Sequence, residues 1–143
     1  MAKVKDVAQY ILEKQGDMTT IKLQKLVYYC QAWALVWTEA PLFEEKIEAW
    51  ANGPVTPELF YAHQGKFKIG PQPSLGDSSK LTVDNKDVIE NVLKGYGDKD
   101  SQWLVELTHL EEPWKIARKG IPAGIRCNEE ISLASMAEYY SGL

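Results

Sequence analysis

The chain has 143 residues, 45% of them hydrophobic and 25% charged, and a formal net charge of −4. That length is enough for one domain whose core stands without metal or disulfide support, and that composition excludes disorder over most of the chain. The acid excess argues against a general nucleic-acid binder, which needs a dense positive face, and no apolar run is long enough to cross a bilayer.

The opening residues MAKVKDVAQYIL lack the apolar core and small-residue cleavage site of a signal peptide, so a cytosolic protein is expected. They read instead as a helix over 3–15, with Val4, Val7, Ala8, Ile11 and Leu12 on one face and Gly16 placed to end it. From Thr19 the run TTIKLQKLVYYCQAWALVW predicts a long helix. Leu23, Leu26, Val27, Cys30, Trp33, Ala34 and Trp37 share one side, while Ile21, Tyr28, Tyr29, Ala32, Leu35 and Val36 make the other sides apolar. A helix apolar nearly all round is buried nearly all round. Lys22, Gln24 and Lys25 crowd its first turns, which predicts that this end reaches the surface. Asp17, Thr19 and Thr20 are candidate caps there, and the helix must stop before Pro41.

Leu42 to Trp50 then reads as a short extended segment, closed by a turn at Asn52-Gly53-Pro54. Thr56 and Pro57 open a fresh helix through Glu58, Leu59, Phe60 and Tyr61. Residues 66–80, rich in Gly, Pro and Ser, predict a mobile surface loop, with a small hairpin pairing Phe67–Ile69 to Leu81–Val83. Asp84 and Asp87 give a capping-box-like start to a helix carrying Val88, Ile89, Val92, Leu93 and Tyr96, ended by Gly95 and Gly97. Asp100 or Ser101 caps the next, with Trp103, Leu104, Leu107 and Leu110 turned inward. A short helix restarts at Pro113 through Trp114, Ile116 and Ala117, stopped by Gly120 and Pro122. The last begins near Ser132 and carries Leu133, Met136, Ala137 and Tyr140. The fold class is mainly α: a single compact helical domain over 1–143 around a buried central helix, with at most a short β-hairpin.

Few residues point to chemistry. Cys30 and Cys127 lie far apart, and Cys30 sits in the apolar helix, where a thiol behaves as a small hydrophobe. With only His63 and His109, no zinc spacing can be assembled, and neither metal nor cofactor is expected. His109 with Glu111, Glu112 and Trp114 resembles an acid–base cluster, but no nucleophile or phosphate loop accompanies it. The structural reading is favoured: His109 ends a helix and hydrogen-bonds backbone carbonyls, and Glu112 caps the helix begun by Pro113. The basic run Lys115, Arg118, Lys119 and Arg126 is read as a helix end complementing the macrodipole. Trp33 and Trp50 are expected in the core; if its ring is buried, Trp50→Ala would cost about 3 to 5 kcal/mol.

The fragments KLQKLVYYCQAWAL and PLFEEKIEAWANGPVTPELFYAHQG, in this order, with a weaker echo at His109, Pro113 and Trp114, resemble the Panacea domain of SocA-like antitoxins, a family that includes many phage-associated proteins. The resemblance is specific over about the first half of the chain. It implies a helical, non-enzymatic domain that neutralises a cognate protein toxin by direct binding. Toxins of such systems include small alarmone synthetases and tRNA-modifying relatives that stop translation. Fold integrity would rest on Leu23, Leu26, Tyr29, Trp33, Trp50, Gly53 and Pro54. Partner contact would fall to Lys22, Lys25, Phe60, Tyr61 and the loop after Gly65. Two other binding roles compete: an adaptor delivering a bound toxin to a protease, and a phage-associated protein acting on a host factor. An enzyme centred on His109 is the rival of another class. Tight binding to operator DNA is not expected, since no helix-turn-helix or basic arm is present.

Overall fold

The computed structural model describes residues 1–143. In chain order the elements are α1 (Val4–Gln15), β1 (Met18–Thr19), α2 (Thr20–Trp37), β2 (Glu48–Trp50), β3 (Gly53–Val55), α3 (Pro57–His63), β4 (Lys68–Ile69), α4 (Val83–Tyr96), α5 (Ser101–Leu110), α6 (Glu112–Arg118) and α7 (Leu133–Ser141). The architecture is mainly helical, with two small antiparallel sheets, each of two strands.

Helix α2 is the axle. Thr19 caps it, its Oγ1 accepting from Lys22 N at 3.1 Å, and Leu23, Leu26, Val27, Tyr29 and Cys30 are wholly buried. Helices α1, α4, α5 and α7 pack around it and enclose a single buried cluster. The amphipathic face of α1 supplies Val4, Val7, Ala8, Ile11 and Leu12 to that cluster, and Gly16, at φ 80°, ends the helix by donating its N–H to Leu12 O. Met136 and Tyr140 of α7 close the far side.

The strands correct one expectation. Phe67–Ile69 and Leu81–Val83 do not pair: β4 lies against β1, Met18 opposite Ile69 and Thr19 opposite Lys68, while Val83 opens α4. The hairpin of this fold is β2–β3, with Glu48 opposite Val55, Ala49 opposite Pro54 and Trp50 opposite Gly53. Gly53 is required twice over. Its φ is +108°, and a Cβ there would lie 2.6 Å from Lys25 Cε and 2.8 Å from Thr108 Oγ1. The outer edge of β2 meets the segment before α7, where Ala49 N donates to Glu129 O and Ile131 N donates to Ile47 O.

Several local expectations change too. The capping box of α4 is Thr82 with Asn85, whose side chains each accept from the other's backbone N–H. That helix runs through Gly95 to Tyr96. Asp100 caps α5 through Trp103 N, but Trp103 and Leu110 stay exposed because only Leu104, Thr108 and, in part, Leu107 face the core. The first turns of α2 are not at the surface: Gln24 is 3% exposed and Lys25 1%. Trp33 and Trp50 are half-buried. The reason for the two buried polar side chains lies in the hairpin.

Candidate functional site

A two-stranded hairpin with three residues a side leaves most of its carbonyls without ladder partners, and buried carbonyls must find donors elsewhere. Here helix side chains supply them. Arg118 Nη1 donates to Ala49 O at 2.9 Å, Trp114 Nε1 to Trp50 O at 2.8 Å, and Lys25 Nζ to Pro54 O at 3.1 Å. Gln24 grips the strand exit from both sides: Thr56 N donates to its Oε1 at 2.9 Å, and its Nε2 donates to Thr56 O at 3.2 Å. His109 lies against the backbone of Ala51, and its buried Nε2 has no hydrogen-bond partner. The hairpin is thus clasped by side chains of α2 and α6 at Ala49, Trp50, Pro54 and Thr56, with His109 of α5 packed beside it.

The electrostatics of this clasp are one-sided. Lys25 has no carboxylate beside it, and burial lowers its ammonium from 10.5 to about 7. The imidazoles of His63 and His109 are both lowered by burial, with the Lys25 charge adding to each. Because the two Thr56 bonds fix which end of the Gln24 amide is the nitrogen, Nε2 must donate to His63 Nε2, at 3.0 Å. His63 is therefore the neutral tautomer with its proton on Nδ1. Arg118, 1% exposed, satisfies its second terminal nitrogen on Pro122 O and Ile125 O, so it also ties down the loop after α6. Its guanidinium lies 4.7 Å from the Trp114 ring, on which His109 stacks at 4.0 Å.

The disfavoured alternative, an acid–base pair of His109 with Glu111, does not form. Glu111 turns inward and accepts from Tyr29 OH at 2.6 Å and Tyr140 OH at 2.7 Å. The start of α6 has no side-chain cap, so Glu112 does not play that part. His109 lies against a backbone group, but one of the hairpin and not of its own helix end. No group of three or more His, Cys, Asp and Glu side chains is placed to hold a metal ion.

Outside the clasp the hairpin presents a groove of about 1160 Å³ between β2, α3 and residues 124–128. Trp50 and Phe60 meet edge to face, their centroids 4.9 Å apart, with Tyr61 6.0 Å beyond. Trp50 Nε1 donates to Glu48 Oε1 at 2.8 Å, and Glu48 pairs with Lys46 at 3.2 Å. Of the expected contact residues, Phe60 and Tyr61 line this groove, and Tyr61 is 70% exposed. Lys25 also belongs to the groove lining, at its floor, where it is 1% exposed. Lys22 points elsewhere, its Nζ donating to Gly97 O at 2.7 Å. Trp50, expected in the core, is a groove wall.

The fragments that converge here are widely separated in the chain, and a model of one family spans them. The model of the SocA-like antitoxin, Panacea domain, matches residues 23–115. The chain belongs to this family. The match takes in Gln24, Lys25, the whole hairpin, α3, His109, Pro113 and Trp114, so it covers most of the clasp and the aromatic side of the groove, while the groove wall at residues 124–128 lies beyond it. Arg118 falls just outside the match. No curated protein and no solved structure gave a match.

Pattern reasoning names Gln24, Arg118 and Glu111 but gives each another part: a surface-reaching helix start, a helix end complementing the macrodipole, and a carboxylate beside His109. The signal for Gln24 and Lys25 was present: consecutive polar residues in a helix otherwise apolar all round belong to a buried hydrogen-bond site. Arg118 gave none, because a basic residue ending a short helix is ordinary.

Proposed function

We propose that this Panacea domain is an antitoxin that neutralises a cognate protein toxin by binding it directly through the groove face, without making or breaking bonds. The observation that carries this reading is the groove itself. An aromatic cluster of Trp50, Phe60 and Tyr61 is held in the open by a hairpin clasped from behind, inside the segment that defines the family. Aromatics at the centre of a concave surface are the residues that dominate protein interfaces. A translation-stopping enzyme of the alarmone-synthetase kind is the partner class the family points to, met in the cytosol. The clasp residues keep the face in shape, and Lys25, 1% exposed at the groove floor, contributes in this reading mainly through its bond to Pro54 O.

The test is growth rescue. The neighbouring reading frame would be expressed with and without this protein, and the complex measured with purified components. Wild type should restore growth, and Tyr61→Ala should weaken the complex by roughly tenfold or more while leaving the thermal midpoint unchanged. Full rescue and unchanged affinity from a Phe60→Ala, Tyr61→Ala double variant would move the interface to another face. Toxin half-life separates sequestration, which leaves it unchanged, from delivery to a protease, which shortens it.

A further inference from the structure

The groove's charges are unevenly committed. Glu48 is engaged by Lys46 and Trp50, whereas Glu45 and Glu58 form no ion pair. Both line the groove and also a second recess of about 660 Å³ beside it, so they mark the place where the two meet. Glu45 Oε2 accepts from Val4 N at 3.2 Å, but its Oε1 is shut from solvent and has no hydrogen-bond partner. An anionic oxygen left without a donor is costly, and the cost is recovered when a donor arrives. Glu45 as a whole is half-buried, and its carboxyl must rotate for that oxygen to meet a donor in the groove. Arg126 and the buried Lys25 are the cations of the groove lining without an ion pair, and in the recess Lys3 and Lys5 are outnumbered by Asp6, Glu44, Glu45 and Glu58. This balance leaves the Glu45–Glu58 end of the aromatic floor as the place where a positive group gains most.

We propose that the occupant of this groove is an arginine-bearing segment of the partner, its guanidinium set between Glu45 and Glu58 and its neighbouring apolar side chains on Trp50 and Phe60. Arginine suits both requirements. Its planar fork donates to carboxylates in pairs, and it stacks on aromatic rings where a hydrated ammonium does so less well. The proposal deepens the binding function above and rests on it. It adds that the toxin is recognised by charge and by aromatic contact together, so that association is salt-sensitive.

The experiment uses the full chain and two dye-labelled decapeptides, one alternating leucine with arginine and one alternating leucine with glutamate, titrated by fluorescence anisotropy. The arginine peptide should bind and the glutamate peptide should not. A Glu45→Gln, Glu58→Gln variant should bind the arginine peptide roughly tenfold more weakly, while retaining the Val4 bond through the new amide oxygen. A Glu106→Gln, Glu138→Gln variant, with the same change in net charge on exposed positions away from the groove, should bind as wild type does. Equal binding of both peptides, or equal weakening by the two double variants, overturns the proposal, because attraction would then be to overall charge or to leucine alone. Growth rescue by the wild-type chain reports the antitoxin reading independently: rescue with no arginine preference would leave that reading standing and end this one.

Discussion

The two halves of α2 are held in opposite ways. In the first, Gln24 and Lys25 reach out of the helix to satisfy a hairpin backbone, and the surrounding titratable groups, Lys25, His63, His109 and Arg118, are all basic. In the second, Tyr28, Tyr29 and Trp33 pack on α4 and α7, with Tyr29 stacked on Tyr96 at 4.2 Å, and the buried carboxylate of Glu111 serves tyrosine hydroxyls. The difference follows from what each half packs against. A helix satisfies its own backbone and asks its neighbour only for apolar area. A short hairpin does not, so its neighbour must bring donors into the core. Rigidity of the groove face therefore depends on hydrogen bonds, and rigidity of the opposite face on packing.

The comparison breaks first at Arg118. Replacing it with methionine keeps most of the stem but leaves Ala49 O buried without a donor and frees the carbonyls of Pro122 and Ile125, which lie in an exposed loop and can turn to water. One stranded buried acceptor with partial relief elsewhere predicts a loss of about 3 kcal/mol in urea denaturation. Amide exchange should speed up in β2 and β3 more than in α4 or α7. Uniform acceleration would mean that the two faces are not separately held.

Lys25 sharpens the contrast through pH. Its ammonium is near 10.5 when unfolded and about 7 when folded, so between those values the unfolded chain binds one proton more than the native one. Stability must then rise with pH across that window, with a limiting slope of about 1.4 kcal/mol per pH unit. His63 and His109, also lowered, add a rise of the same sign below their ordinary range. Denaturation midpoints should climb from neutral to mildly alkaline pH in the wild type and stay flat in Lys25→Met. A flat wild-type profile would mean that water or a rearranged carboxylate reaches the amine.

How much of this was legible follows the same division. The packed half announced itself: the apolar periodicity of α1, α2 and α7 named Leu23, Leu26, Tyr29, Met136 and Tyr140, and all are buried. Turn chemistry at Asn52-Gly53-Pro54 and the proline start of α3 were local and equally readable. The clasp was not, because polarity read along a helix argues for the surface, and only the distant hairpin reverses that argument for Gln24 and Lys25. The pairing of Met18–Thr19 with Lys68–Ile69 joins segments that share no turn, so no pattern between them could have declared it. Glu111 and Glu112 are adjacent and chemically alike. Which of them turns inward is decided by the break between α5 and α6 ahead of Pro113, a matter of geometry that composition does not carry.

Glu111 gives the smallest effect and the opposite sign. Burial raises its carboxyl, against the pull of the Tyr29 and Tyr140 hydroxyls. A raised acid costs stability as pH climbs through its range, since the unfolded chain releases the proton first. Glutamine keeps an oxygen able to accept from both tyrosines while carrying no charge to desolvate. Glu111→Gln should therefore lie within about 1 kcal/mol of wild type, and its difference from wild type should move in its favour as pH rises above the ordinary glutamate range. Lys25→Met loses ground over its own window, so the two variants tilt the stability profile in contrary directions. A large loss in Glu111→Gln would show that the tyrosine cluster needs the charge itself, and would make the second half of α2 as dependent on polar bonding as the first.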